Sequence, residues 1–186
     1  MKLILVLGGA RSGKSNFAKK IILDNYEGPV TFLATARPGD EEMRRRISLH
    51  KKERPATWST WEGNPSDLID FLYTVSGAAL MDCLTTWLSE LIFDKYDDME
   101  KLSEDEWSAA QKNLLRKVEE LCKVTGPEVL VIVSNEIGMG IAPAFIMGRR
   151  FRDLQGRANQ MVASRAESVA MMIAGLPLWL KGGRVE

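Results

Sequence analysis

The sequence has only one histidine and two cysteines, and it has no excess of charge of either sign. Its 25 Lys and Arg residues balance 25 Asp and Glu residues, so the formal net charge at pH 7 is zero. Nucleic-acid-binding proteins usually carry a clear basic excess, so this class is disfavoured. Cys83 and Cys122 lie in apolar surroundings without the spacing of metal ligands. We therefore expect reduced core thiols in a cytosolic protein.

Long apolar runs are also missing. The longest, at 3–7, 129–133 and 169–180, are shorter than the ~20 residues of a membrane helix. Met1 and Lys2 lead directly into a strand-like run without a small-residue cleavage site, so we expect no signal peptide and a cytoplasmic location. With 186 residues, 45% hydrophobic and 27% charged, the chain has average globular composition. One domain over 1–186 is predicted, with a frayed tail at 182–186.

Short apolar runs alternate with longer amphipathic ones, which indicates an α/β layered fold. Strands are predicted at 2–7, 30–34, 78–82, 128–134, 168–173 and 177–181, and helices at 15–24, 40–54, 66–75, 85–95, 103–124 and 149–167. Three of the strands are apolar without alternation, as expected where helices cover both faces of a parallel sheet. Ser103 and Glu106 predict a capping box. Gly175 and Pro177 predict a hairpin, and hence an antiparallel edge.

Residues 8–15 satisfy the complete phosphate-loop pattern G-x-x-x-x-G-K-[ST]. The members of this candidate site are Gly8, Gly9, Ala10, Arg11, Ser12, Gly13, Lys14 and Ser15. A buried strand precedes the pattern and a helical pattern follows it. Lys14 can reach the β- and γ-phosphates of a nucleotide, and the Ser15 hydroxyl can ligate Mg²⁺. We predict a nucleotide-binding site with Lys14 as a catalytic group; the alternative is a glycine-rich turn that binds nothing.

Two other segments follow apolar strands and carry acids. Asp82 ends the run 78–82 and is predicted to hold Mg²⁺ directly or through water, with a helix-capping role as the alternative. Asn135 and Glu136 begin a glycine-containing turn at the carboxyl end of another strand, the usual ligand edge of such a sheet. They are candidates for the substrate side, unless the turn only caps the next helix. Asp82 and Glu136 are both candidates for the base in a phosphorylation.

The lone histidine, His50, lies in the predicted helix 40–54. Met43, Ile47, His50 and Arg54 fall on one stripe of that helix. From these residues alone, a half-buried, hydrogen-bonded histidine is the simpler interpretation. The alternative is a nucleophile that attacks phosphorus while Lys51 and Arg54 neutralise a triphosphate and its pyrophosphate leaving group. These cations would also lower the histidine pKa.

Taken together, these blocks resemble the bifunctional adenosylcobinamide kinase / adenosylcobinamide-phosphate guanylyltransferase family of cobalamin biosynthesis. Similar to the family's elements are the phosphate loop, Ala34-Thr35-Ala36, His50-Lys51-x-x-Arg54-Pro55-x-x-Trp58 with Glu62, and Asp82-Cys83-Leu84-Thr85-Thr86-Trp87-Leu88, followed by the segments 134–143, 151–160 and 174–177. The blocks span nearly the whole chain in order. Ile137 and Ala142 replace two valines of the family pattern, and Ser168 replaces a commoner glutamate.

The resemblance implies a P-loop, RecA-like α/β fold, a homo-oligomer of three subunits, and two reactions. In the first, ATP or GTP phosphorylates the aminopropanol hydroxyl of adenosylcobinamide. In the second, a GMP–histidine intermediate at His50 passes GMP to adenosylcobinamide phosphate, giving adenosylcobinamide-GDP. Nucleotide contacts are implied at the phosphate loop and at Ala34, Thr35, Ala36, Lys51, Lys52, Glu53, Arg54, Glu62 and Asp82.

Two other functions stay open on the residues alone. One is a monofunctional small-molecule kinase, in which His50 is structural. The other is a nucleotide-dependent regulatory protein that acts on a protein partner.

Overall fold

The computed structural model describes residues 1–37, 39, 41–52, 54–96 and 99–183; of residues 43, 46, 49, 50 and 52 it describes the backbone alone. The strands are β1 (Lys2–Gly8), β2 (Val30–Ala34), β3 (Ser59–Trp61), β4 (Ala78–Asp82), β5 (Val129–Asn135), β6 (Ser168–Ile173) and β7 (Leu176–Lys181). The helices are α1 (Lys14–Asn25), α2 (Glu41–Lys52), α3 (Leu68–Thr74), α4 (Leu84–Phe93), α5 (Glu104–Leu121) and α6 (Ile146–Arg165), and a short 3₁₀ helix, Pro65–Asp67, precedes α3.

The strands form one sheet in the order β3-β2-β4-β5-β1-β6-β7. Every pairing is parallel except that of β6 with β7. The carboxyl ends of the six parallel strands therefore meet at one edge of the sheet. The β6–β7 hairpin forms the antiparallel edge that Gly175 and Pro177 predict, and Ala174 and Gly175 adopt positive φ values of 51° and 84° in its turn.

Helices cover both faces of the sheet. On one face, α3, α4, α5 and α6 pack around a large apolar cluster that includes the fully buried Trp87. On the other face, α1 buries Ala18, Ile21 and Ile22 against a smaller cluster. The central strands are apolar on both sides because both sides are covered. These features confirm the predicted α/β class with its mostly parallel sheet.

The predicted elements are confirmed with local differences. All six predicted strands form, each within one residue of its predicted ends. The capping box at the start of α5 is also confirmed: the Ser103 hydroxyl accepts a hydrogen bond from the Glu106 N–H at 3.3 Å, and the Glu106 carboxylate accepts one from the Ser103 N–H at 2.8 Å. The strand β3 was not predicted.

The placement of Arg54 on the histidine helix is wrong. Helix α2 ends at Lys52, and Arg54 lies in a bend beyond it. Pro55 explains the early end, because a proline disfavours helical geometry in the residue before it. Arg54 therefore reaches its partners from a loop and not from the stripe that contains His50.

Both cysteines are free. Burial raises the pKa of the Cys83 thiol, and it raises the pKa of the Cys122 thiol to about 11. Both side chains are therefore protonated at neutral pH, as expected for reduced core thiols. No helix within the described ranges is long and apolar enough to span a membrane.

Candidate active site

Four predicted site segments begin at the same edge of the sheet. Gly8, Ala34, Asp82 and Asn135 are the last residues of β1, β2, β4 and β5. Gly8 pairs with Asn135, and Ala34 pairs with Asp82. The structure therefore brings the phosphate loop, the Ala34–Ala36 segment, the acid of β4 and the Asn135–Glu136 turn together at the carboxyl edge, where ligands of parallel sheets bind.

The phosphate loop is a tight turn between β1 and α1. Gly13, which caps α1, has a φ of +89°, a conformation that favours glycine. A Cβ on Gly8 would lie 2.4 Å from Ser12 Oγ and 3.0 Å from the Met172 carbonyl oxygen. The Gly175 N–H donates to the Ser12 carbonyl at 3.1 Å and thereby joins the loop to the β6–β7 hairpin. Glycine is required at both ends of the loop by backbone geometry and close packing.

The loop also presents groups that a phosphate can satisfy. Ser12 Oγ is buried and has no hydrogen-bond partner within the described part of the chain. Lys14 Nζ donates to the carbonyl oxygen of Gly9 at 3.1 Å, a neutral acceptor within the loop itself. The first turn of α1 contains no acidic residue, so its N-terminal partial positive charge is not offset locally. This donor set fits an anion such as a nucleotide phosphate.

Ser15 and Asp82 are the residues that could hold a magnesium ion. Both are half-buried at the carboxyl edge of the sheet, and a hydroxyl with a carboxylate suits this cation. No group of three or more His, Cys, Asp and Glu residues among those described could hold a metal by itself. An ion between Ser15 and Asp82 would therefore take its remaining ligands from the nucleotide and water.

Thr35 makes two hydrogen bonds to the residue that follows Asp82. Its hydroxyl accepts from the Cys83 N–H at 2.8 Å and donates to the Cys83 carbonyl at 2.9 Å. Thr35 is 3% exposed, whereas Ala34 and Ala36 on either side are half-buried. The hydroxyl proton of Thr35 is therefore donated to the Cys83 carbonyl, directly after β4.

The Asn135–Glu136 turn is fixed by three elements. The Asn135 N–H donates to Thr85 Oγ1 at 2.9 Å, and Asn159 Nδ2 on α6 donates to the Asn135 carbonyl at 3.0 Å. The Glu136 N–H donates to the Gly8 carbonyl at 3.1 Å, and its carboxylate accepts from the Gly138 N–H at 2.6 Å. Glu136 is thus tied directly to the start of the phosphate loop.

The segment that follows α2 forms a pocket of about 380 Å³, lined by Lys51, Arg54, Pro55, Ala56, Trp58, Thr60 and Glu62. Lys51 Nζ lies 2.8 Å from a carboxylate oxygen of Glu62. The Arg54 guanidinium lies 3.7 Å from the centroid of the Phe32 ring, and its Nη1 donates weakly to Thr60 Oγ1 at 3.4 Å. The structure therefore brings Lys51, Arg54 and Glu62 together, and their contact with nucleotide stays a prediction.

Arg54 is the half-buried cation of this pocket. Burial lowers the pKa of its guanidinium, and the negative charges of Glu62 and Asp82 oppose that shift. Its Nε is buried without a partner among the described residues. Asp82 ends β4 at the carboxyl edge of the sheet, and Glu62 lines the pocket after α2. The negative charges that act on Arg54 therefore come from both of these regions.

Three predicted site residues lie wholly or partly outside the part of the chain that the structure describes. Glu53 and the side chains of His50 and Lys52 lie outside the described part of the structure. The backbone of His50 belongs to α2, two residues before the helix ends. The nucleophilic role of His50 and the predicted lowering of its pKa stay predictions.

A larger cavity of about 410 Å³ lies elsewhere, between α4, α5 and the chain after β2. None of the described residues predicted for the site lines it. Its apolar floor includes Leu91 and Leu114, and Arg37 at its rim is paired with Asp94. Its lining therefore does not include the described residues that are predicted to bind nucleotide.

Sequence reasoning missed the residues that hold the predicted ones in place. Phe32 supports Arg54 from 22 positions away, and Thr85 holds the Asn135 N–H from 50 positions away. Phe32 sits in an ordinary apolar strand pattern, and Thr85 opens a helix. No local signal in the sequence distinguishes Phe32 from an ordinary core residue, or Thr85 from an ordinary residue at the start of a helix.

Comparison with known proteins decides the family. The protein-family model described as cobinamide kinase / cobinamide phosphate guanyltransferase matches residues 4–180. The chain belongs to this family. It is 40% identical over 181 residues to the bifunctional adenosylcobalamin biosynthesis protein CobP of Pseudomonas aeruginosa, with 96% of each chain covered. It is 36% identical to the CobU proteins of Escherichia coli and Salmonella typhimurium, over 96% of this chain and 99% of each relative.

The family membership confirms the resemblance on which the sequence analysis relied. Among solved structures, an ATPase from the type III secretion system of pathogenic bacteria matches with a TM-score of 0.49 and 10% identity. That match covers 91% of this chain, and the chain spans 50% of the length of the ATPase.

Proposed function

We propose that this protein carries out both reactions for which its family is described. It transfers the γ-phosphate of ATP or GTP to the aminopropanol hydroxyl of adenosylcobinamide. It then transfers GMP from GTP to the resulting phosphate, releasing pyrophosphate and forming adenosylcobinamide-GDP. The observation that carries this proposal is the family match over residues 4–180. The phosphate loop and the Lys51–Arg54–Glu62 pocket support it from the same chain.

In the phosphorylation step, Lys14 leaves the Gly9 carbonyl and binds the β- and γ-phosphates. Because its present acceptor is a neutral carbonyl at 3.1 Å, an anionic phosphate oxygen makes the stronger hydrogen bond. Ser15 and Asp82 would hold Mg²⁺, which when bound would supply charge neutralisation for the phosphoryl transfer. Ala34 and Ala36, which flank the buried Thr35, line the nucleotide on the β2 side.

In the guanylylation step, a ring nitrogen of His50 attacks the α-phosphorus of GTP. A P–N bond forms, the bond to the bridging oxygen breaks, and pyrophosphate leaves. An oxygen of the corrinoid phosphate then attacks the same phosphorus and releases the histidine. Arg54 stabilises the charge of the leaving pyrophosphate, because the Phe32 ring holds its guanidinium while Nε has no partner in the described part of the chain. Lys51, Lys52, Glu53 and Glu62 complete the nucleotide contacts.

The test is intact-protein mass spectrometry after incubation with GTP and Mg²⁺. Wild type is expected to gain the mass of one GMP, in an adduct that is stable to base and labile to acid. His50→Ala should show no adduct, whereas Lys20→Ala, a variant of an exposed residue on α1, should react as wild type does. Folded wild-type protein that forms no adduct would favour a monofunctional kinase with a structural histidine.

We also propose that the active form is a homo-oligomer of three subunits. Leu176, Leu178 and Leu180 on the edge strand β7 are 72%, 53% and 59% exposed. Three exposed leucines at alternate positions of an edge strand form a surface that association would cover. Sedimentation velocity is expected to give three times the chain mass. A monomer at micromolar concentration would contradict this proposal and leave the two reactions unaffected.

A further inference from the structure

Thr35 lies where β2 and β4 stop pairing. The last backbone pair between these strands is Ala34 with Asp82. One residue further on, the Thr35 hydroxyl bonds both the N–H and the carbonyl of Cys83, at 2.8 and 2.9 Å. Thr35 is 3% exposed and Cys83 is 8% exposed. A side chain thus continues the connection between the two strands for one residue beyond the backbone ladder.

The consequence falls on Asp82. The two hydrogen bonds between Thr35 and Cys83 form a clamp. At the residue before this clamp, the Asp82 backbone pairs with Ala34 on one side and with Val133 on the other. The residue after Asp82, Cys83, is held by the Thr35 hydroxyl. The main chain of Asp82 is therefore fixed on both sides, although its carboxylate is at the edge of the sheet where the chain turns into α4.

We propose that Thr35 is a positioning residue for Asp82, through which it sets the affinity of the site for a magnesium–nucleotide complex. The proposal rests on the proposed metal-holding role of Asp82. Groups that orient a metal ligand act on affinity and rate without touching the ion. The buried Thr35 hydroxyl already gives its only proton to Cys83, so its effect on the nucleotide passes through the backbone that carries Asp82.

Other hydrogen bonds join the ends of the next strands. Thr85 Oγ1 on α4, the helix after β4, accepts the N–H of Asn135, the last residue of β5, at 2.9 Å. Between β5 and β1, the Glu136 N–H donates to the Gly8 carbonyl at 3.1 Å. The carboxyl ends of the adjacent strands β2, β4, β5 and β1 are therefore joined from Thr35 to the phosphate loop. Thr35 is the member of this series that acts on the acid of β4.

The direct test compares Thr35→Val, which keeps the shape and removes the hydroxyl, with Thr35→Ser, which keeps the hydroxyl. The probe is binding of a fluorescent GTP analogue as Mg²⁺ is titrated, so no corrinoid is needed. Thr35→Val is expected to raise the Mg²⁺ concentration for half-maximal binding about 10-fold or more, in line with the usual 10–100-fold effect of a residue that orients a metal ligand. Thr35→Ser should stay within about twofold of wild type.

Thr31→Val is the matched control. Thr31 is on the same strand, and its hydroxyl meets Ser59 Oγ at 3.0 Å in an exposed position. This variant should bind magnesium–nucleotide as wild type does. Thermal unfolding of each variant verifies that it is folded at the assay temperature; Thr35→Ala replaces Thr35→Val if the valine variant is not.

A double-mutant cycle with Asp82→Asn decides the route of the effect. If Thr35 acts through Asp82, Thr35→Val adds no further loss to Asp82→Asn. Losses that multiply would show that Thr35 acts elsewhere, and equal losses in Thr35→Val and Thr35→Ser would assign the effect to packing; either result overturns the proposal. An Asp82→Asn variant with an unchanged Mg²⁺ dependence overturns it as well. Wild type that binds magnesium–nucleotide yet phosphorylates no adenosylcobinamide would refute the proposed function alone.

Discussion

Three buried polar side chains bond to one another next to the carboxyl edge of the sheet: Ser134, Gln155 and Asn159. Replacing each of them should lower the free energy of unfolding by a different amount. The Ser134 hydroxyl donates to Asn159 Oδ1 at 2.7 Å, and Gln155 Nε2 donates to Ser134 Oγ and to Asn159 Oδ1, both at 2.9 Å. Asn159 Nδ2 reaches the Asn135 carbonyl at 3.0 Å. The three side chains are 0%, 0% and 5% exposed.

The expected costs follow from the bonds that each replacement removes, at about 1 kcal/mol for each net hydrogen bond. Asn159→Ala removes the bonds to Ser134, Gln155 and Asn135, and should lower the free energy of unfolding by about 3 kcal/mol. Ser134→Ala removes two bonds and leaves its partners bonded to each other, for about 2 kcal/mol. Gln155→Leu also removes two bonds, but it eliminates the Oε1 atom, which is buried without a partner among the described residues. Its cost should therefore be about 1 kcal/mol.

The assay is urea unfolding of ligand-free protein at neutral pH, followed by tryptophan fluorescence. A loss of about 3 kcal/mol is large against a typical stability of about 5–15 kcal/mol. The order Asn159→Ala, Ser134→Ala, Gln155→Leu, from most to least destabilising, is the result expected. If Gln155→Leu is the most destabilising, or if the three variants agree within about 0.5 kcal/mol, counting hydrogen bonds is the wrong account of this cluster.

Three further predictions concern the phosphate loop and the start of α5. Lys14→Ala should reduce phosphorylation of adenosylcobinamide about 10²–10³-fold, because it removes a cation from the transferring phosphate; a steady-state rate within tenfold of wild type would contradict this. Gly8→Ala places a Cβ 2.4 Å from Ser12 Oγ and should destabilise the fold by about 1–3 kcal/mol, measured by thermal unfolding; an unchanged melting temperature would mean that the loop yields. The hydrogen bonds of Ser103 lower the pKa of Glu106, so its contribution to stability is present above the unfolded-state pKa and disappears as pH falls through the folded one. Glu106→Gln should flatten that acid limb of stability against pH, and an identical limb would exclude a contribution from this carboxylate.

The parts of the fold that were predictable are those with local causes. Uninterrupted apolar runs identify strands covered on both faces, and Ser103 with Glu106 identifies the start of α5 because capping depends on residues three apart. The strand β3 has neither cause. It comprises only three residues, two of them exposed, and it exists because Thr31, Phe32 and Leu33 of β2 offer it a partner.

The candidate site divides in the same way. The phosphate loop is contiguous, so its pattern and the flanking strand and helix suffice to predict it. The position of Arg54 depends on where α2 ends and on the Phe32 ring, which no pattern within the 40–54 segment reveals. The clamp of Thr35 on Cys83 joins residues 48 positions apart. Its threonine was predicted as a nucleotide contact because of its neighbours in the chain, whereas its bonds are set by the partner strand.

The phosphate loop and the pocket after α2 hold their cations through different contacts. This difference bears on how one chain can serve two reactions. Lys14 rests on a neutral carbonyl, so an arriving phosphate replaces a weak acceptor with a charged one. Lys51 is already paired with the Glu62 carboxylate, so a phosphate must compete for it with an existing negative charge. Arg54 is held by the face of the Phe32 ring, and its Nε has no hydrogen-bond partner among the described residues, so no carboxylate has to be displaced from that atom. Under the proposed function, a phosphate at the phosphate loop therefore displaces only a neutral acceptor. Of the two described cations of the pocket after α2, Lys51 and Arg54, it is Arg54 that can engage phosphate before the Lys51–Glu62 pair has separated.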